Sequence, residues 1–321
     1  MYLNCHSYYS LRYGTMSVET LVEQAAGKAL PVLALTDINN STGTMDFIKA
    51  CKERGVHPIA GIEFHDGNKL LYTGLARNNK GFRELNEFLS ECNINKKPIP
   101  PDPPPFLNAY VVFPFGRKTP TQLLDNEYLG IRPSEVRKLI SSPFRHRGEK
   151  LLINQPVTFG GRDDYSIHTH LRAVDNNTLL SKINREHLAA KDEHFLTMDK
   201  LLEAYRSYPE IIRNTESVIG DCQIGFDFST VKNKNCFTGS RYDDKLLLEK
   251  LAMDGLLYRY GKNNPEARRR VKHELEIIDR LGFSAYFLIT WDVIRYSMSR
   301  GFYHVGRGSG ANSVAVSYTH L

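Results

Sequence analysis

No two of the five cysteines (Cys5, Cys51, Cys92, Cys222 and Cys236) stand in a CxxC pair. That spacing excludes a zinc-finger framework, and an odd, scattered set excludes a disulfide scaffold. The thiols read as reduced, inert side chains. Long apolar runs are missing as well: the longest stretch, FSAYFLITWDVIRYS, carries Asp292 and Arg295 and falls short of the roughly 20 residues a membrane span needs. The opening MYLNCHSYYSLRYG lacks the basic and then apolar segments of a secretory signal. A cytoplasmic protein without a membrane partner is expected.

Net charge is absent from most of the chain. Residues from 231 onward hold 15 of the 42 Lys and Arg but 9 of the 36 Asp and Glu, leaving 27 of each sign before them. The whole +6 therefore sits in the last part, which is the part suited to meeting phosphate. A length of 321 residues suggests two domains.

What is present begins with alternating helix and strand signals. Ser17 caps a helix with Val18, Leu21, Val22, Ala25 and Ala26 at helical spacing. PVLALTD (31–37) reads as a buried strand, and MDFIKACKERG (45–55) as a helix stopped by Gly55. VHPIAGIEF (56–64) and KLLYTGLAR (69–77) read as strands, with GFRELNEFLSE (81–91) a helix. Repeated βαβ units predict an α/β fold with a parallel sheet buried on both faces, open or closed into a barrel. Asp37, Asn39 and Glu63 would then gather at the C-terminal rim, where sites in such folds lie. KKPIPPDPPP (96–105) is predicted to be a stiff surface loop. NAYVVFP (108–114) and KLLINQPVTF (150–159) read as further strands, while 117–150 has no clear pattern. THLRAVDNNTLLSKI and MDKLLEAYRSY carry helix signals. From about 232 the chain turns helical, with DDKLLLEKLAMDGLLYRYG (243–261), PEARRRVKHELEIIDRLG (265–282) and YFLITWDVIRYSMSRG in succession. The middle helix has proline at its start and glycine at its end, as a complete helix should.

Two groups of residues carry chemistry. HSYYS, TD and GIEF place His6, Asp37 and Glu63 at the ends of successive strands. Donors so placed can bind a divalent cation and activate water, or they are merely the polar rim of a barrel. Near the end, GFYHVGRGSGANS (301–313) packs Gly306, Gly308 and Gly310 among Arg307, Ser309 and Ser313. Bare glycines expose backbone N–H groups in a concave nest, and the hydroxyls and guanidinium add donors for phosphate. A tight turn is the plainer alternative. Arg268 to Lys272 either approach a nucleic-acid backbone or form a solvated helix face.

HSYYSLRYG, ALTDINNSTGTMDFIKACKERGVHPIAGIEF and LARNNKGFRELN resemble, in order and spacing, the polymerase-and-histidinol-phosphatase (PHP) domain that opens the alpha subunit of bacterial DNA polymerase III, the C-family replicative polymerase. The resemblance implies a distorted seven-stranded β/α barrel over residues 1–225. Where the family binds metal, it does so in a trinuclear site with phosphatase or 3′-5′ exonuclease potential. This sequence departs from that version. The family's His-x-His pair is Asn4 and His6, its acidic residue before the first glycine is Tyr13, and the histidine after Thr-Asp37 is Ile38. Glu63 is kept, a later histidine is Tyr72, and the late Asp-x-His falls at Asn176 and Thr178. Two surviving ligands cannot hold three cations, so a metal-free, structural PHP domain is expected.

GFSAYFLITWDVIRYSMSRGFYHVGRGSGANS resembles the same family's entry into its palm, a nucleotidyltransferase fold. Gly306, Arg307, Gly308, Ser309 and Ser313 match the family's GRGSxxxS and so are implied to hold the triphosphate of the incoming dNTP. Residues 226–321 would be the start of that palm. In the family, aspartates that follow this loop hold two Mg²⁺ ions. No such pair stands between Ser313 and Leu321, and SVAVSYTHL leaves the pattern after about Val314. Foreign residues over 315–321, and a fragment inactive as a polymerase by itself, are expected. The implied partners are primer–template DNA, dNTPs, a sliding clamp and a proofreading exonuclease. The alternative is a free-standing PHP-type metal-dependent phosphoesterase or 3′-5′ exonuclease, which leaves the glycine loop unexplained.

Overall fold

The computed structural model describes residues 1–145, 148–161, 163–230, 232–306 and 313. Local signals set the first elements. Ser17 accepts from Thr20 N and caps α1 (Val18–Gly27), which buries Val18, Leu21, Val22 and Ala25. After β1 (Val32–Leu35), helix α2 (Thr44–Arg54) ends where Gly55 takes a left-handed φ of 68°. Strands β2 (His57–Asp66) and β3 (Lys69–Ala76) follow, and then α3 (Asn79–Ile94), capped by the Asn78 side chain. The sheet is completed by β4 (Ala109–Pro114), β5 (Glu127–Ile131) and β6 (Leu151–Ile153). Helices α4 (Asp164–Asp175), α5 (Met198–Ala204) and α6 (Pro209–Asp221) come after it. The proline-rich 96–105 forms no regular element.

The six strands neighbour one another in chain order. β1 runs parallel to β2, and β4, β5 and β6 are mutually parallel, but β3 is antiparallel to both β2 and β4. The expected all-parallel sheet is thus corrected. Only Gly67 and Asn68 separate β2 from β3, and two residues make a hairpin, never a crossover. The predicted strand 150–159 is also shortened, because its ladder with β5 covers only Leu151 to Ile153.

Past that point the chain changes partner, and this curls the sheet. Cys5 bridges Val157, and Tyr2 bridges Leu33 beside β1. Val157 N donates to Asn4 O (2.9 Å), His6 N to Val157 O (2.8 Å) and Ala34 N to Tyr2 O (2.8 Å). Residues 2–6 therefore tie the two ends of the sheet together and curl it into a half-barrel, with six strands among the described residues where the resemblance implied a seven-stranded distorted barrel. Alternate strand residues face two cores. Leu33, Leu35, Phe64, Val111 and Phe113 join the larger cluster, and Ala34, Ile59, Leu75 and Val112 a smaller one reached by Val218 of α6.

The chain divides into two compact units, Met1–Phe228 and Ser229–Leu321. In the second, α7 (Arg241–Tyr260), α8 (Pro265–Arg280) and α9 (Ser284–Ser299) share Leu248, Ala252, Leu256, Val271, Leu275, Ile278 and Leu288. Asp244 fastens the start of α7 by accepting from Phe237 N (2.8 Å) and from the N and Oγ1 of Thr238 (both 2.6 Å). No helix among the described residues is long and apolar enough to cross a membrane.

Candidate functional site

At the barrel rim, the turn 7–14 is built on Asp37. Its carboxylate accepts from Ser7 N and Ser7 Oγ (both 2.7 Å) and from Ser10 Oγ (2.6 Å), and Ser10 Oγ accepts from Ile38 N (3.0 Å). Burial pushes the Asp37 carboxyl up even so. Closure of the turn requires Gly14, since a Cβ there would lie 1.9 Å from Ser7 O.

Beside the turn lies a cleft of about 310 Å³ whose lining includes Asn4, His6, Tyr13, Glu63, His65, Arg132 and Glu193. Glu63 is its centre. Asn4 Nδ2 donates to Oε2, His65 Nε2 donates to Oε1 (2.7 Å), and His6 Nε2 lies 3.2 Å from that same Oε1. On the far side of His6, Thr158 Oγ1 gives its proton to Glu193 Oε2 (2.6 Å), so it accepts from His6 Nδ1 (3.0 Å). Arg132 Nη2 (2.7 Å) and Ala190 N (3.1 Å) donate to the other Glu193 oxygen.

Burial works against a charged His6, but Glu63, aided by Glu193 and Asp37, outweighs it and raises the imidazole's pKa. Burial would likewise raise Glu63, yet His6 and His65 hold it well below the ordinary carboxylate range. Both shifts favour the charged forms, an imidazolium beside a carboxylate. Tyr13 stands edge-on to both His6 (5.4 Å) and His168 (4.8 Å), with the Arg172 guanidinium 5.2 Å from its ring centre. His168 Nδ1 donates to Tyr13 O (2.8 Å) and its Nε2 accepts from Ala189 N (2.9 Å). Burial lowers its pKa and keeps it neutral.

This donor set does not fit a cluster of cations. Both oxygens of Glu63 and Glu193 and both nitrogens of His168 are engaged with protein groups. Among the described residues, no group of three or more His, Cys, Asp or Glu is placed to hold a metal ion. Tyr72 lies in the core against Phe64 (5.2 Å) and Phe113 (5.7 Å), its buried hydroxyl without a hydrogen-bond partner among the described residues. Asn176 bonds Asn68 Nδ2 and Arg172 O, and Thr178 N donates to Ala173 O.

In the second unit, Arg307, Gly308 and Ser309 lie outside the described residues. Gly306 is exposed after α9, and Ser313 is partly buried. The Ser313 hydroxyl donates to Glu274 Oε2 of α8 (2.8 Å), while Arg270 Nε donates to Glu274 Oε1 (3.1 Å).

Residues 3–128 match the family model of the PHP domain, and residues 246–320 match that of the bacterial DNA polymerase III alpha NTPase domain. In both parts the chain is similar to the alpha subunit of bacterial DNA polymerase III. It is 26% identical to an error-prone DNA polymerase of Symbiobacterium thermophilum, covering 99% of this chain and 34% of that protein. Identity is 27% with the DNA polymerase III subunit alpha of Halalkalibacterium halodurans (99% of this chain, 31% of the relative) and of Bacillus subtilis (100% and 32%). The chain spans about a third of the length of the curated relatives it matches.

Of the residues the resemblance singled out, Asn4, His6, Tyr13 and Glu63 share one cleft. Asp37 serves the 7–14 turn, Ile38 lines an adjoining cavity of about 220 Å³, and Tyr72 is core. His65, Arg132, Thr158, His168 and Glu193 escaped the sequence reading. His65 follows Glu63 by two positions and so stood on the same strand face, a signal that could have found it. Arg132, Thr158 and Glu193 lie outside helices and long strands, and His168 sits in α4, whose helix signal does not show which cleft its side chain borders.

Proposed function

We propose that this chain forms the amino-terminal part of a DNA polymerase, with its PHP unit a metal-free scaffold and its second unit the bearer of the nucleotide-phosphate loop. The observation that carries this reading is the order of the two family matches along one chain, PHP first and polymerase III alpha second. The scaffold role is supported by the engagement of the cleft's carboxylates and imidazoles with one another. The reaction of the whole protein is template-directed addition of dNTPs to a primer 3′-hydroxyl. Gly306, Gly308 and their neighbours offer backbone N–H groups to the triphosphate, and Arg307 and Ser309 add a guanidinium and a hydroxyl. Mg²⁺, held by aspartates outside these residues, would activate the attacking oxygen and steady the pyrophosphate. Primer–template DNA, a sliding clamp and a proofreading exonuclease are the partners of that whole.

One set of titrations on the purified chain tests the reading. dATP should bind, and Arg307→Ala should weaken it by about tenfold, the worth of one charge-assisted hydrogen bond. Zn²⁺ or Mn²⁺ should show no tight stoichiometric uptake, and phosphate esters should not be cleaved. Metal uptake with phosphate release would favour the phosphoesterase alternative, and dATP binding indifferent to Arg307→Ala would overturn the loop assignment.

A further inference from the structure

We infer that the groove between α3 and the proline-rich loop is a docking site for a peptide segment that carries lysine or arginine beside an apolar anchor. The inference stands apart from the cleft at the barrel rim and from the phosphate-loop reading.

One helix face and one kinked loop build the groove. On α3, Glu84, Glu87, Phe88, Glu91 and Cys92 recur at helical spacing, and with residues 97–106 they enclose about 650 Å³. The floor is apolar: Phe88 meets Phe106 edge-on (5.7 Å) and leans on Phe64 (5.4 Å), next to Cys92. The far wall is Pro98, Pro100, Pro103 and Pro104, with the chain bent at Pro101 and Asp102. Both ends of that wall are pinned. Ile99 and Phe106 are buried, and Lys97 N donates to Cys92 O (2.9 Å). Glu84 accepts from Leu107 N (3.1 Å) and from N and Nδ2 of Asn108 (2.9 and 2.6 Å). Proline has a fixed φ, so a wall held in this way loses little freedom when a partner docks. It also has no N–H to offer, so recognition here falls to side chains and not to an added strand.

Charge selects the occupant. Glu84, Glu87, Glu91 and Asp102 line the groove, against Lys97. Arg83 lies 3.8 Å from Glu87, and Lys118 is shared between Asp102 (3.2 Å) and Glu127 (3.0 Å). Five carboxylates thus stand against three cations. The excess is local, because residues before 231 hold 27 charges of each sign. Next to the groove the chain already holds a cation by this chemistry: Lys118 Nζ stands 4.1 Å from the centre of the Phe113 ring while two carboxylates share it. Phe88 and Phe106, with Glu87 and Glu91, repeat that combination of ring and carboxylate in the groove lining. A segment with an aromatic residue for the floor and lysine or arginine for the rim satisfies both. An acidic segment would be repelled, and an inorganic cation would leave the floor unfilled.

The test titrates the full chain into a fluorescein-labelled peptide, Ala-Lys-Arg-Trp-Leu-Lys-Ala, read by anisotropy at low salt. Glu87→Lys with Glu91→Lys should weaken binding by about tenfold or more and leave the urea midpoint unchanged, since the Glu87 side chain is 71% exposed and Glu91 is exposed too. A peptide with alanine for tryptophan should lose about tenfold, the worth of one buried aromatic anchor. Hydrogen–deuterium exchange should slow over 84–106 when the parent peptide is bound. Binding indifferent to the charge reversal, equal binding of the alanine peptide, or slowed exchange only outside 84–106 would each overturn the proposal. So would a chain that takes up no peptide; concentration-dependent protection of 84–106 in that case would assign the face to a second copy.

Discussion

Glu63 illustrates what a retained carboxylate does when the residues around it change. The sequence makes plain that Asn4 stands where the family's pattern has histidine, but not that its amide would turn to donate to Glu63. Nor could it show that His65 would supply a second donor and that His6 Nε2 would come within 3.2 Å of the same carboxylate. These are contacts between side chains on different strands, fixed by packing. They carry a pH signature. The folded pKa of Glu63 lies below its ordinary 4.5, so its contribution to stability is complete above that value and is lost as pH falls through the folded one. The folded pKa of His6 lies above 6.5, so its contribution is complete below 6.5 and is lost as pH rises through the folded value. Urea unfolding of Glu63→Gln against the parent should therefore show its largest loss, about 3 kcal/mol, between pH 5 and 6. The gap should narrow on both sides, and a pH-independent gap would contradict the pair.

Elements with their own punctuation were legible. Gly55 ends α2, and Asn264 with Pro265 opens α8, because caps are local chemistry. Strand direction was less so: the brevity of Gly67-Asn68 decided it, and a string of strand and helix signals does not advertise a hairpin within it. The extent of β6 was not legible at all, since Val157 leaves its neighbour for Cys5, a partner 152 positions away in sequence. The 7–14 turn gives the most direct check on an element. Gly14→Ala would drive a methyl into the Ser7 carbonyl and should lower stability by about 3 kcal/mol, read as a fall in the urea midpoint at constant slope. The tight turn fails as a description if the midpoint holds.

For the molecule as a whole, composition separated two parts, one neutral in sequence and one carrying the +6. Arg268, Arg269 and Lys272 are exposed on α8, and charge alone could not say whether they meet DNA or water. Binding of duplex DNA by the full chain should weaken as salt rises. Arg268→Glu with Arg269→Glu should weaken it by about tenfold at low salt and flatten the salt slope by about 2. An unchanged slope would assign those arginines to a solvated face. The other unit has a history as well as a shape. Its sheet grows strand by strand in the order of synthesis, yet residues 2–6, made before any of those strands, must wait for Val157 before they have both neighbours. Until then the nascent sheet has two open edges, each able to recruit another chain. Translation that stalls between β1 and Val157 would leave an aggregation-prone intermediate, because the segment that joins the sheet's two ends is made before the strands it joins.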